Sequence, residues 1–197
     1  MIKVNRIEHM EDYTNAVIAI VITLMVLDIH APNGSTAMAL HNANNHIFTY
    51  IYSFLLISMY WINHGRIFQN FEHIHMTTRI LWANNLFLLF ITFIPFATSW
   101  LAHYLTYRLP EMSYAFIILC VDLSYYLLLQ SVLHTNPQLK RETKFKIYRR
   151  KLHGNLLINI IAIICGYFEP LTTIGISLCA IVLWMVPDRL FEHFHHV

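Results

Sequence analysis

The sequence predicts an all-α, polytopic membrane protein, and three observations support this fold class. The chain of 197 residues is 57% hydrophobic and only 12% charged, whereas soluble domains carry about 25% charged residues. Six long apolar runs follow one another, and the basic residues gather in alternate connections between them. A chain of 23.2 kDa cannot bury this much apolar surface as a soluble fold. We therefore expect a lipid bilayer around it.

The apolar runs predict six transmembrane helices. A bilayer core about 30 Å thick requires about 20 apolar residues of helix, and backbone groups in lipid must bond within their own segment. The predicted spans are residues 13–29, 46–68, 80–104, 114–133, 152–168 and 171–187. The short link Glu169-Pro170 makes the last two a helical hairpin. Residues 1–197 are thus predicted to form a single six-helix transmembrane domain.

The basic residues predict the orientation of these spans. With six spans, both termini and 12 basic residues lie on one side, against Arg108 alone on the other. The positive-inside rule makes the crowded side cytoplasmic, so we expect a cell-membrane protein with both termini in the cytoplasm. Residues 134–151 are predicted to be a basic cytoplasmic loop that sets the topology, and binding of anionic lipid headgroups is the alternative interpretation. The twelve residues are Lys3, Arg6, Arg66, Arg79, Lys140, Arg141, Lys144, Lys146, Arg149, Arg150, Lys151 and Arg189.

Several functional classes lack their motifs in this sequence. The net charge of +2 is too small to indicate a nucleic-acid partner. Cys120, Cys165 and Cys179 lie far apart in apolar runs, and we expect small buried side chains and no zinc site or disulfide. The 13 histidines lack the spaced boxes of membrane di-iron enzymes, and we expect no metal and no cofactor. Phosphate-loop, nucleophile-elbow and HExxH motifs are also missing, so an enzyme is not expected.

The first predicted helix is apolar on every face from Ala16 to Ile29. Ile20, Leu24 and Leu27 are spaced i, i+4, i+7 and so lie on one face, with Thr23 beside them. Asn15 points to roughly the opposite side. Spacing alone most simply indicates a surface for helix packing.

Polar side chains at membrane depth form a second signal. Such groups are costly in lipid and usually face the interior of a helix bundle, where they hydrogen-bond across helices. Asp122 in the fourth span is either an ion or proton site or a partner of nearby Ser124 or Tyr125. The polar residues of the second and third spans that draw attention are Trp61, Asn63, His64, Asn84 and Asn85.

Three sequence blocks resemble one known family. They are AIVITLMVLDIHAP (Ala19 to Pro32), WINHGRIF (Trp61 to Phe68) and LWANNLFLLFITFIPFATSW (Leu81 to Trp100), with a weaker fourth at Trp184 to Arg189. Order and intervals both match, which hydrophobicity alone does not produce. The chain resembles the bacterial members of the transmembrane protein 175 family, which are potassium-permeable channels.

The family's signature at the start of the first helix is substituted here. By position, His9, Tyr13, Thr14 and Asn15 stand where the family has Arg-x-x-x-Phe-Ser-Asp. Aromatic and hydroxyl characters survive at Tyr13 and Thr14, but both charges are lost. Gly65 stands for the second histidine of the family's Trp-x-Asn-His-His.

The resemblance implies a homotetramer whose first helices line a central pore. By matched position, Ile20 forms the narrowest ring, followed by Leu24 and Leu27, with Thr23 as a polar contributor. A dry apolar ring opposes ion passage because stripping a cation of water is costly, and gating then means widening or wetting the ring. The implied function is a potassium-permeable cation channel subunit, with potassium ions, the lipid bilayer and further copies of the chain as partners.

The resemblance also implies an interhelical polar network at the cytoplasmic ends of the first helices. Its groups are neutral at pH 7 and its histidines protonate near pH 6, so we expect altered gating or an altered pH response. The alternative hypotheses are a non-conducting or differently gated protein of the same fold and, with less support, a histidine-dependent membrane enzyme. The implied network comprises His9, Tyr13, Thr14, Asn15, Trp61, Asn63, His64 and Asn84.

Overall fold

A computed structural model describes residues 6–32, 34–69, 74–141, 143–169 and 172–185. Helices connected by short segments make up this described part, which contains no strand, and the predicted all-α fold class is confirmed. In chain order the helices are α1 (Arg6–Leu27), α2 (Ala37–Asn42), α3 (Asn44–Gln69), α4 (Thr78–Ile91), α5 (Ile94–His103), α6 (Arg108–Thr135), α7 (Thr143–Phe168) and α8 (Thr172–Met185), with a 3₁₀ turn at Pro137–Arg141.

Four helical runs in the described residues are long and apolar enough to cross a membrane. They are α1, the run of α4 and α5 together, α6, and Phe145–Phe168 within α7. Helix α3 has 26 residues but carries polar side chains in its interior, and α8 is described over 14 residues. The chain is therefore a multi-pass membrane protein. Six crossings, which would add α3 and α8, stay a prediction.

Three helices begin before the apolar runs that were predicted as spans. Helix α1 begins at Arg6, ahead of the span from residue 13, α6 begins at Arg108, ahead of residue 114, and α7 begins at Thr143, ahead of residue 152. Hydropathy marks where a chain enters lipid, whereas a helix can begin in water with polar residues in its first turns. As a result, most of residues 134–151 is helical rather than an open loop. The short α2 was not predicted either.

The third predicted span is not one continuous helix. Helix α4 ends at Ile91, and α5 begins at Ile94 with a proline, Pro95, in its first turn. Proline has no N–H for the carbonyl of residue i−4, here Ile91, and its ring crowds that carbonyl, so the helix breaks just before it. Within α5 the proline occupies a position where the missing donor costs little. The two helices still form one apolar run of 26 residues.

Helix α6 is the central helix of the bundle. It packs against α4 and α5 on one side and against α7 on the other. Its side chains at positions 118, 121, 125, 128, 129 and 132 are all buried. Helices α7 and α8 pack against each other as the predicted hairpin. Helix α1 lies at the periphery, where it contacts α3, α4 and α5.

Hydrogen bonds between helices define two ends of the bundle. At one end, Ser53 Oγ lies 2.9 Å from Tyr114 Oη and 2.7 Å from Thr98 Oγ1, which joins α3, α5 and α6. At the other end, the backbone N–H of His75 donates to Asn136 Oδ1 over 2.8 Å, which joins the α3–α4 connection to the end of α6. The first turn of α1 belongs to this second end.

Candidate pore helix and its polar contacts

Helix α1 leaves a row of large apolar side chains uncovered. Ile20, Leu24 and Leu27 are 58%, 52% and 74% exposed. Thr23 lies on the same face, and its hydroxyl donates to the Ile20 carbonyl oxygen of its own helix over 2.8 Å. One exposed face of α1 therefore carries Ile20, Thr23, Leu24 and Leu27.

The opposite face of α1 explains why this row is left exposed. Its residues recur at spacings of three or four and pack into the bundle, so the remaining face points away from it. Ala16 and Ala19 lie on the uncovered side, and small residues permit close approach of a neighbouring helix. The uncovered face is thus apolar, and part of it carries only small side chains. The buried residues of α1 are Met10, Thr14, Ile18, Val21 and Met25.

A buried chain of hydrogen bonds ties α1 to α4 and α3. Asn84 Nδ2 donates to Thr14 Oγ1 over 3.0 Å, and Asn84 Oδ1 lies 2.8 Å from His64 Nε2. All three side chains are buried. Because the amide oxygen accepts, His64 Nε2 carries the hydrogen in this arrangement. One amide therefore satisfies a group on each of two neighbouring helices.

A second contact joins α1 to α3 nearer the surface. The indole Nε1 of Trp61 donates to Asn15 Oδ1 over 2.8 Å. Trp61 is 48% exposed, and Asn15 is also exposed. Asn15 lies one residue after Thr14, so α1 is held to its neighbours at two successive positions.

His9 and Tyr13 are not part of these contacts. Both side chains are exposed, and neither makes a side-chain hydrogen bond within the described part of the chain. Instead they line a groove of about 520 Å³ between α1 and α4, together with Arg6 and Asn85. Two of the four substituted signature positions thus contact other helices through hydrogen bonds, and two do not.

Asn63 joins α3 to other elements. Its Nδ2 donates to the Met59 carbonyl oxygen of its own helix over 2.8 Å. Its backbone carbonyl oxygen accepts from the Tyr148 hydroxyl of α7 over 2.7 Å. Asn63 therefore connects α3 to α7 and not to α1.

The buried acid Asp122 has partners that sequence reasoning missed. Its carboxylate accepts from the Tyr60 hydroxyl of α3 and from the Nδ2 atoms of Asn155 and Asn159 on α7. The suggested partners Ser124 and Tyr125 were wrong, because these hydroxyls bond elsewhere. Asn155 and Asn159 are spaced i, i+4 in an apolar run, a signal that places two amides on one helix face.

Comparison with known proteins gives these features a family context. The model of the family described as "Endosomal/lysosomal potassium channel TMEM175" matches residues 9–95. This range holds α1 from His9 onward and its contact residues on α3 and α4. A protein named as a potassium channel of Chryseobacterium sp. (strain P1-3) is 28% identical over 189 residues, 93% of this chain and 95% of that protein.

Further relatives and a solved structure agree with this match. Proteins named as potassium channels of Streptomyces collinus and Chamaesiphon minutus are each 30% identical, over 51% and 57% of this chain and 50% and 59% of theirs. The crystal structure of a lysosomal potassium-selective channel TMEM175 homolog from Chamaesiphon minutus has the same fold, with a TM-score of 0.80 at 23% identity over 90% of this chain and 96% of that one. These matches confirm the resemblance of the chain to the TMEM175 family, which is an ion-channel family and not an enzyme family.

Proposed function

We propose that this chain is a subunit of a potassium-permeable channel whose pore is lined by the exposed face of α1. The observation that carries the proposal is the row of Ile20, Leu24 and Leu27, each more than half exposed on the helix at which the family match begins. Because the relatives are named as potassium channels, we propose potassium as the permeating ion.

A symmetric assembly gives this face a role. In a closed homo-oligomer every copy of α1 presents the same side chains to the symmetry axis. We propose a homotetramer in which Ile20 forms the narrowest ring, with rings of Leu24 and Leu27 after it. Such rings bar hydrated potassium ions until they widen or become wet, which makes them a hydrophobic gate. Thr23 is the polar side chain within this stretch.

The contacts of Thr14 and Asn15 are proposed to hold the gate helix against a fixed frame. Asn84 and Trp61 engage these neighbouring residues from α4 and α3. Moving α1 would break both contacts, so their strength sets how readily the apolar rings separate. His64 supports the frame through Asn84, and Asn63 does so through its contact with α7.

We further propose a cell-membrane location with both termini in the cytoplasm. Three basic residues lie together at the bundle end that holds the first turn of α1, the last turn of α3 and the start of α4, as the positive-inside rule requires of a cytoplasmic side. The exposed Arg108 begins α6 at the opposite end. The three residues are Arg6, Arg66 and Arg79.

A non-conducting or differently gated protein of the same fold is the second candidate. The specific observation behind it is that His9 and Tyr13 make no hydrogen bond to α3 or α4 in the described residues. The described side-chain hydrogen bonds between α1 and its neighbours α3 and α4 are the neutral contacts of Thr14 and Asn15. This arrangement differs from a signature that places charges at positions 9 and 15.

Potassium flux from liposomes tests the proposal. Purified protein is reconstituted into potassium-loaded vesicles, and efflux is compared for the wild type, Ile20→Ala and Ile20→Asn. Because a polar ring hydrates the constriction, we expect Ile20→Asn to raise efflux by about tenfold, equivalent to roughly 1.4 kcal/mol of barrier. Val26→Ala is the matched control, since Val26 is exposed on another side of α1.

Two results would separate the candidates. Efflux from the wild type that increases at Ile20 but not at Val26 supports a pore lined by α1. If the wild type and both Ile20 variants show no potassium efflux while each forms an intact oligomer, the non-conducting alternative is supported instead. Equal increases in potassium efflux for the Ile20 and Val26 variants would contradict the assignment of Ile20 to the narrowest ring.

A further inference from the structure

The carboxylate of Asp122 is the centre of a polar cluster in the middle of α6. It is fully buried and accepts hydrogen bonds at both oxygens. Tyr60 and Asn155 donate to Oδ1, and Asn159 donates to Oδ2. The cluster therefore joins three helices, α3, α6 and α7, at one point well away from the exposed face of α1.

All three donors in this cluster are neutral. The donors that the structure describes at the carboxylate are the Tyr60 hydroxyl and two amide groups, and none of them is a cation. Asn155 Oδ1 is buried without a hydrogen-bond partner. The Asn155 side chain therefore donates to the carboxylate through Nδ2, while its own Oδ1 accepts no hydrogen bond. A buried acid that is held only by oriented donors depends on all of them.

Tyr60 links this cluster to the first helix through its neighbour in the chain. Successive helix residues point about 100° apart, so Tyr60 faces Asp122 while Trp61 faces α1. There the Trp61 indole donates to Asn15. Phe87 of α4 packs against the Tyr60 ring in an edge contact, with the ring centroids 6.0 Å apart. At two adjacent residues, α3 therefore bonds to α6 through Tyr60 and to α1 through Trp61.

We propose that Asp122 is a positioning residue for the pore helix, acting through Tyr60 and Trp61 on Asn15. The carboxylate fixes the rotation and height of α3, and α3 in turn sets the strength of the Trp61–Asn15 contact. This inference rests on the proposed function, because the contact matters for conduction only if α1 lines the pore.

Asp122→Asn tests the inference with little change in shape. The new amide replaces one acceptor oxygen with a donor, so at least one of the three neighbouring donors loses its partner. We expect potassium flux to change by about threefold or more, in the same direction as in Trp61→Phe, the factor expected for loss of one interhelical hydrogen bond. Ser124→Ala is the matched control, because the Ser124 hydroxyl bonds to the Val121 carbonyl oxygen of its own helix.

A double-mutant cycle separates positioning from general destabilisation. If Asp122 acts through Trp61, the variant carrying both Asp122→Asn and Trp61→Phe has the flux of Trp61→Phe alone. Effects that multiply would overturn the inference. Tyr60→Phe, which removes a single donor, repeats the cycle should Asp122→Asn fail to assemble.

Fluorescence gives a readout that does not depend on conduction. A variant that keeps Trp61 as its single tryptophan is prepared with Trp82, Trp100 and Trp184 replaced by phenylalanine. We expect Asp122→Asn to shift the emission of Trp61 and Ser124→Ala to leave it unchanged. An unshifted emission together with wild-type flux would contradict the inference. If the wild type itself carries no flux, the proposed function fails, while the emission still decides whether Asp122 positions Trp61.

Discussion

At the residue scale, Asn84 is the side chain on which the placement of α1 most depends. Its amide donates to Thr14 and accepts from His64, so it uses both of its functional atoms within the bundle. Few other residue types can do this, because the site requires a donor and an acceptor on one short planar group. The contact also explains why Thr14 is buried on a helix whose other buried residues are apolar.

Replacing Asn84 with alanine should destabilise the fold. The substitution leaves the Thr14 hydroxyl and the His64 Nε2 hydrogen without a partner in a buried site, at a cost of about 2 kcal/mol. We expect the melting temperature in detergent to fall by several degrees. Asn85→Ala is the control, because the exposed Asn85 should change stability by less than about 0.5 kcal/mol. Equal melting temperatures for the two variants would count against the role given to Asn84.

The sequence predicted which polar residues belong inside the bundle but not which ones meet. Asn84 and His64 stood out because polar groups are costly in lipid. Their pairing with Thr14 depends on the rotation of three helices about their axes, which hydropathy does not report. The same limit explains why Asp122 was assigned partners close in sequence. Its true partners come from other helices, and only the i, i+4 spacing of Asn155 and Asn159 gave a signal.

At the scale of helices, the junction of α3, α5 and α6 is held by hydroxyl groups. Thr98 Oγ1 lies 2.7 Å from Ser53 Oγ and 2.8 Å from the Ile94 carbonyl oxygen, and Ser53 also contacts Tyr114. Ile94 is the first residue of α5, just after the break before Pro95. The hydroxyl therefore serves a carbonyl near the helix start while it binds α3.

Thr98→Val should weaken this junction without changing its shape. Loss of the hydroxyl removes one interhelical hydrogen bond, and we expect a cost of about 1 kcal/mol. Thermal unfolding of the purified protein measures it. Thr92→Val is a suitable control, because the exposed Thr92 hydroxyl bonds to the Leu89 carbonyl oxygen of its own helix. A loss of stability in Thr92→Val as large as in Thr98→Val would show that the junction itself contributes little.

The existence of the long helices was predictable, whereas their starts and breaks were not. Bilayer thickness fixes how many apolar residues a span needs, so the runs at α1, α6 and α7 were evident. Hydropathy does not register the polar first turns of α1 and α7. Hydropathy also does not predict the break before Pro95, because proline is tolerated within membrane helices.

At the scale of the whole molecule, the arrangement of charges gives a testable topology. Arg108 is exposed at the start of the long helix α6, and Lys140 is exposed in the 3₁₀ turn that follows the other end of this helix. In a protein lacking its three cysteines, we expect Arg108→Cys to react with a membrane-impermeant thiol reagent in whole cells. Lys140→Cys should react only after the cells are opened. Labelling of Lys140→Cys in intact cells would overturn the proposed orientation.

The chain also has an exposed apolar face on α1. Helix α1 is packed on one side only, and its other side carries large apolar residues next to small alanines. Sequence spacing placed Ile20, Leu24 and Leu27 on a shared face, but only the packed bundle distinguishes this face from the buried one. The proposal that the face surrounds a pore follows from symmetry and from the similarity of the chain to the TMEM175 family.

Cadmium block of Ile20→Cys tests the pore assignment most directly. In the cysteine-free protein, a ring of thiolates at the symmetry axis would bind Cd²⁺, because soft thiolate ligands favour such ions. We predict that Cd²⁺ stops potassium flux through Ile20→Cys and spares Val26→Cys and the cysteine-free parent. Conducting Ile20→Cys channels that are insensitive to Cd²⁺, or a block that is equal at both positions, would contradict a pore lined by this face of α1.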